Sequence, residues 1–176
     1  MYIIETERIG LRNWKASDEV PFTAMNQDPR VMEFFPSLLT LEDSFTMIER
    51  IKTFLNKNPF GFWAAEEKQS GSFIGFVGLS RPRFQTDFTP CVEIGWRLAH
   101  QFWGKGYAPE AASACIAYSF EKLRIPEILS FTSILNKRSI SVMEKIGMKY
   151  VKNFDHPLIE EISPLRPHVL YAIRNF

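Results

Sequence analysis

Between Gln101 and Glu110 the chain reads QFWGKGYAPE, and two glycines two apart suit one kind of chemistry, the binding of an anion by main-chain amides. Glycine has no Cβ, so backbone at Gly104 and Gly106 can come close to a ligand. The run that follows, YAPEAASACIAYSFEKL (107–123), is rich in alanine, the best helix former, with Pro109 in the first turn where proline is tolerated. Amides at the start of a helix carry the positive end of its dipole and point at whatever lies before it. Phosphate fits such a place. Two common phosphate motifs do not fit this sequence. A dinucleotide fingerprint needs G-x-G-x-x-G/A in a parallel doubly wound sheet, and here Pro109 stands where the last glycine or alanine belongs. A P-loop needs G-x-x-x-x-G-K-[ST], which Gly104-Lys105-Gly106 does not match. For the glycines alone, a plain strand-to-helix turn is the other reading.

The elements around this loop alternate between helical and strand character, which points to one mixed α/β domain over residues 1–176. ERIGLRNW (7–14) alternates apolar and polar residues and reads as a first strand. A helix is expected over roughly 18–27, stopped at Asp28-Pro29. Thr40 with Asp43 three residues on forms a variant capping box. The helix behind it carries Phe45, Ile48, Ile51, Phe54 and Leu55 at spacings of three and four, an amphipathic face. FGFWAAEE (60–67) and GSFIGFVGLS (71–80) read as a hairpin, and PCVEIGWRLA (90–99) as a third strand of a meander. The Gly-loop helix comes next, then strand 127–134, then a helix from Asn136 to about Ile146 stopped by Gly147. Strands 148–154 and 168–176 close the chain.

CVEIGWRLA, then QFWGKGYAPEAA, then NKRSISVMEKIGMKYV form an ordered set that resembles the GNAT acetyltransferase superfamily, most closely its RimJ/RimL-like branch of ribosomal-protein N-acetyltransferases. The likeness covers essentially the whole chain, including ETERIGLR, DPRVMEFFP and FIGFVGL, and Gln101-x-x-Gly104-x-Gly106 matches the family's Q/R-x-x-G-x-G/A signature. It implies the GNAT fold, α/β of α+β type: a mostly antiparallel twisted sheet of about seven strands, one βαβ crossover and helices on both faces. It implies acetyl-CoA as cosubstrate, with the pyrophosphate held by amides of Gln101, Phe102, Trp103, Gly104, Lys105, Gly106, Tyr107 and Ala108. The strand holding Ile94, Gly95, Trp96, Arg97 and Leu98 is implied to splay from its neighbour, so that pantetheine pairs with its edge. Trp96, Leu98 and Ala99 would then lie along the arm, although core packing is the other reading of Trp96. Asn136 matches the asparagine that bonds the arm in the family, and it can serve as an N-cap at the same time. Ser139, in N-x-x-S, is implied near the sulfur, where its hydroxyl would protonate or stabilise the leaving thiolate. Many members use a tyrosine there, but Tyr150 is too far along the chain.

The implied reaction is direct acetyl transfer to an amine in a ternary complex. The amine must be neutral to attack, so a base helps an α-amine (pKa about 7.7–8.0) and helps a lysine (about 10.4) more. Glu93 is the candidate base, acting directly or through water, with a strand glutamate paired to an arginine as the alternative. Strand amides near Glu93 to Trp96 would hold the oxyanion. Met32, Phe34 and Phe35 are expected to wall the acceptor side, or else to staple the second helix. The acceptor is a protein N-terminus or a small amine. The competing function is a non-catalytic acetyl-CoA-binding or sensing module on the same fold. A net charge of +1 gives no basic field for nucleic acid. Cys91 and Cys115 make neither a disulfide framework nor a metal quartet, so no metal is expected. The start, MYIIETERIGLRNW, does not read as a secretory signal, and no run approaches 18 apolar residues, so a cytoplasmic protein is expected. Homodimers are common in the family, but no segment here argues for one.

Overall fold

The computed structural model describes residues 1–175. The strands are β1 (Ile4–Glu5), β2 (Ile9–Arg12), β3 (Phe62–Glu67), β4 (Ser72–Ser80), β5 (Glu93–Leu98), β6 (Glu127–Ser133), β7 (Lys149–Asp155) and β8 (Pro167–Arg174). Among the described residues they form one sheet in the order β1-β2-β3-β4-β5-β6-β8-β7. The helices are α1 (Glu19–Asn26), α2 (Leu41–Lys57), α3 (Tyr107–Glu121) and α4 (Lys137–Lys145). Every neighbouring pair is antiparallel except β5 and β6, which run parallel and are joined through α3. The eighth strand, beyond the seven expected, is β1. Two residues are too few to show a period in sequence; the Thr6 amide and hydroxyl fold them back by donating to the Ile9 carbonyl at 2.8 and 3.1 Å. The expected strand end at Phe176 lies outside the described residues.

Local signals explain the elements that frame the site. Thr40 Oγ1 accepts from the Asp43 amide at 3.1 Å, and Asp43 Oδ2 accepts from the Thr40 amide at 3.0 Å, so the capping box starts α2 as read. α3 buries Ala111, Ala112, Cys115 and Ile116 against one face of the sheet. Cys115 is fully buried and packs as a small apolar side chain. On the opposite face Phe22 and Met25 of α1 and Ile48 of α2 pack with Val31, Met32 and Phe76. Helices therefore cover both faces, and β5 runs between two cores.

The start of α1 is tied to the sheet by buried charges. Arg12 donates to both Asp18 oxygens at 2.7 and 2.9 Å and to Glu66 Oε2 at 2.6 Å. Glu66 also accepts from Tyr2 at 2.7 Å and Lys15 at 3.1 Å. Burial works to raise the Glu66 pKa, but the bonds from Tyr2, Arg12 and Lys15 outweigh it and hold it at about 2. Removing one partner of such a group leaves an uncompensated buried charge. We expect Arg12→Leu to lower stability by about 3–5 kcal/mol, read as a fall in the urea midpoint. The folded value of Glu66 lies below its ordinary 4.5, so its contribution is complete above about pH 4.5 and is lost as pH falls toward 2. Wild-type stability should decline through that window, with a flatter slope in Arg12→Leu.

Candidate active site

The site begins where the sheet opens. β5 and β6 share one parallel register pair, Glu93 opposite Leu129, and the Leu129 amide donates to the Val92 carbonyl at 2.9 Å. One step on, the Ser130 hydroxyl, not a main-chain amide, reaches the Ile94 carbonyl at 3.0 Å. Past this point the β5 edge faces a gap, which ends where Trp103 Nε1 donates to the Leu98 carbonyl at 2.8 Å. A cavity of about 1020 Å³ fills the opening. Glu93 to Leu98, Ser130 to Thr132, the first turns of α3 and α4, and the loop residues Val31, Phe34, Phe35 and Pro36 line it.

At one end stands the glycine loop. Gly104 and Gly106 hold φ of 74° and 80°, a left-handed conformation that disfavours any side chain, so the backbone demands these glycines before any ligand does. A Cβ at Gly104 would meet nothing within 4 Å, which leaves room for a ligand against the main chain. Gly106 is the N-cap of α3 and offers no side-chain acceptor to the first-turn amides. These amides are the orphan donors of a helix start, and they suit an anion. Arg8 fixes the loop from outside: Nη1 donates to the Lys105 carbonyl at 2.9 Å and Nε to Glu110 at 2.7 Å, with the guanidinium 4.8 Å from the Tyr107 ring centre. The sequence reading misses Arg8, because it lies 97 residues from the carbonyl it holds.

Glu93 lines the cavity at the fork of the two strands. Ser80 Oγ donates to its Oε1 at 2.6 Å. No arginine or lysine reaches it among the described residues, which removes the ion-pair reading. Burial pushes its pKa up to about 7, against the opposing Ser80 bond. Across the cavity Asn136 caps α4, its Oδ1 accepting from the Ser139 amide at 3.1 Å. Its Nδ2 donates to Thr132 Oγ1 at 3.0 Å and to Ser139 Oγ at 3.1 Å. Ser139 Oγ thus receives a bond and keeps its own proton free to donate.

Other expected residues fall in three groups. Ile94 and Leu98 turn their side chains into the α3 core, and Trp96 packs against it, so these three offer the cavity mainly backbone. Phe102, Trp103, Tyr107 and Ala108 line the cavity with Gly104 and Gly106, whereas the Gln101 and Lys105 side chains are exposed and outside the lining. Met32 departs from the expected wall. It is 4% exposed and sits in the α1–α2 core, so Phe34 and Phe35 face the cavity without it. A turn closed by the Phe35 amide on the Met32 carbonyl at 3.0 Å separates their directions. The reading also misses His156 and His168, which line the far wall; burial pushes both pKa values down, that of His156 to about 4. Among the described residues no cluster of histidine, cysteine or acidic side chains could hold a metal ion.

A family model described as "Acetyltransferase (GNAT) domain" matches residues 8–149. The chain is 33% identical over 150 residues to the uncharacterized protein YkkB of Bacillus subtilis, which covers 84% of this chain and 85% of that one. It is 31% identical over 140 residues to the FsC-acetyl coenzyme A-N(2)-transacetylase of Aspergillus fumigatus, covering 74% of this chain and 57% of that protein. A crystal structure of a GNAT-family acetyltransferase from Bacillus anthracis superposes with a TM-score of 0.80 at 24% identity, over 97% of each chain.

A β-branched residue at a left-handed position costs on the order of 1–3 kcal/mol of strain, and at Gly104 it would also fill the open space. Gly104→Val is expected to weaken CoA binding at least tenfold by calorimetry. Arg8→Ala, which frees the loop without touching its amides, should weaken it less.

Proposed function

Because the chain belongs to the GNAT acetyltransferase family, we propose that it moves an acetyl group from acetyl-CoA to a primary amine by direct attack in a ternary complex. One observation carries this: the uncapped glycine loop, the free β5 edge, Glu93 and Ser139 all face one cavity. The residues fit the cosubstrate, since the cavity has main-chain donors at one end and an unpaired strand edge along its length. Acetyl-CoA, once bound, supplies an activated thioester. The loop amides hold its pyrophosphate and the β5 edge pairs with its arm. Asn136 has already used both Nδ2 protons, so it can give the arm only the second lone pair of Oδ1. Glu93 takes a proton from the amine, directly or through water, and free amides of β5 near Trp96 steady the developing oxyanion. Ser139, polarised by Asn136, donates to the departing thiolate.

The match of proton affinities favours weakly basic acceptors. A base near 7 is close to an α-amine at about 7.7–8.0 and about three units from lysine. Of the acceptor classes that the RimJ/RimL-like resemblance and the transacetylase relative suggest, protein N-termini and small-molecule amines, the α-amine of an N-terminus suits such a base best. Among the described residues no helix is long and apolar enough to cross a membrane.

The decisive experiment is thiol detection of free CoA over a panel of N-terminal peptides and small amines. Turnover on one class supports the reading; tight CoA binding with no turnover on any acceptor would mean a sensing module instead. Glu93 works as a base only when ionised, so kcat/KM should rise with pH through about 7. An acceptor amine that titrates below pH 6 isolates this limb from the amine's own. Glu93→Gln should abolish the limb and lower kcat/KM about 10²–10⁴-fold, with CoA affinity kept. Ser139→Ala should lower kcat with little change in KM, and a retained kcat would remove Ser139 from the leaving-group role.

A further inference from the structure

Arg12 and Arg97 are both drawn out of water, and among the described residues Arg12 has its countercharge and Arg97 does not. Arg12 is buried against two carboxylates. Arg97, four residues after Glu93 on β5, lines the cavity with its guanidinium 4.2 Å from the Phe35 ring centre and 5.4 Å from that of Phe76. Among the described residues its one side-chain partner is neutral: Nη1 donates to Asn26 Oδ1 at 2.7 Å. Its Nε is buried with no partner among the described residues. The carboxylates of the adjoining loop are spoken for, Asp28 by Arg30 at 2.7 Å and Glu33 by Arg138 at 2.5 Å. Glu93 is held by Ser80. Asn26 ends α1, and a helix C-terminus supplies only about half a negative charge. Burial lowers the Arg97 pKa to about 10, so the group is still a cation at neutral pH. A cation half-stripped of water without a counter-ion is strongly unfavourable, and Arg97 lines a cavity large enough to admit one.

We propose that Arg97 binds a carboxylate carried by the acceptor, making this enzyme selective for amines that bear a distant acid group. The proposal rests on the acetyl-transfer reading above. A single cation calls for a single negative charge, and a guanidinium edge matches a carboxylate. Alternation places Glu93 and Arg97 on the same face of β5, with their Cα atoms about 13 Å apart. A free α-amino acid is too short for that span. A peptide covers about 3.3–3.6 Å per extended residue, so an acid three or four residues from the reactive amine reaches it. Phe35, stacked on the guanidinium and exposed to solvent, stands beside the route by which such a group would enter.

The test uses two tetrapeptide amides that differ only in ending with glutamate or glutamine. Wild type should acetylate the glutamate peptide with a kcat/KM at least about tenfold higher, a preference that weakens with salt. In Arg97→Gln the ratio should fall to about one, and Arg97→Lys should lie between. Calorimetry with CoA and far-UV circular dichroism check that the variants still fold and bind. Equal use of the two peptides by wild type, or a preference that survives Arg97→Gln, overturns the proposal while leaving acetyl transfer intact. If neither peptide is acetylated, thermal shifts of the CoA-loaded protein give the answer. Stabilisation by the glutamate peptide alone, lost in Arg97→Gln, supports the carboxylate site even as the acetyl-transfer reading fails. Equal or absent shifts overturn it.

Discussion

One junction governs this molecule: the parallel contact of β5 and β6, which holds a single register pair and then opens. Parallel neighbours need a crossover, and here the crossover is α3. Because α3 follows β5 after a short loop, its start lies at the C-terminal end of that strand. Helix amides, strand edge and Glu93 therefore meet because of connectivity, not because of any one side chain. Where the ladder ends, the Ser130 hydroxyl takes the place of a main-chain donor on the Ile94 carbonyl. Ligands of open α/β sheets settle outside the carboxyl ends of strands for the same reason.

The cavity is also a poor solvent for charge. Burial raises the carboxyl of Glu93 and lowers His156, His168 and Arg97. All four shifts favour the neutral form, as expected of groups buried beside aromatic walls. Such a medium favours the neutral amine that can attack, and it strengthens each dipole aimed at the reacting carbonyl. Arg97 resists neutralisation most, because a guanidinium starts from so high a pKa.

Much of the frame was legible in sequence. The capping box at Thr40, the alanine-rich α3 and the N-cap at Asn136 are local signals, and local signals survive folding. Glu93 and Ser139 stand out in the sequence only through the family resemblance, and the fold brings both to the cavity. Arg8 was not, since nothing in its own neighbourhood marks a partner 97 residues away. Met32 was misplaced for a related reason. In DPRVMEFFP three apolar side chains sit within four positions, and only the turn at Met32–Phe35 decides which of them face the core. The two histidines follow β7 and begin β8, and they reach the site only because β8 inserts between β6 and β7.

The two halves of the site differ in how they can be read at all. On the proposed reading the donor is held largely by main chain. That needs glycine at the two left-handed positions, Gly104 and Gly106, and a strand whose edge is free. Such a requirement fits into a few adjacent residues and shows up as a short motif. The acceptor side is built of side chains from separate elements: Phe34 and Phe35 from a loop, Arg97 from β5, Phe131 from β6, His156 and His168 from the last strand pair. No spacing rule links them, since their distances along the chain are set by topology. Selectivity for the acceptor can therefore change one side chain at a time without disturbing the donor loop. A missing countercharge, as at Arg97, is the kind of clue that appears only once the fold has shown which charges have found partners and which have not.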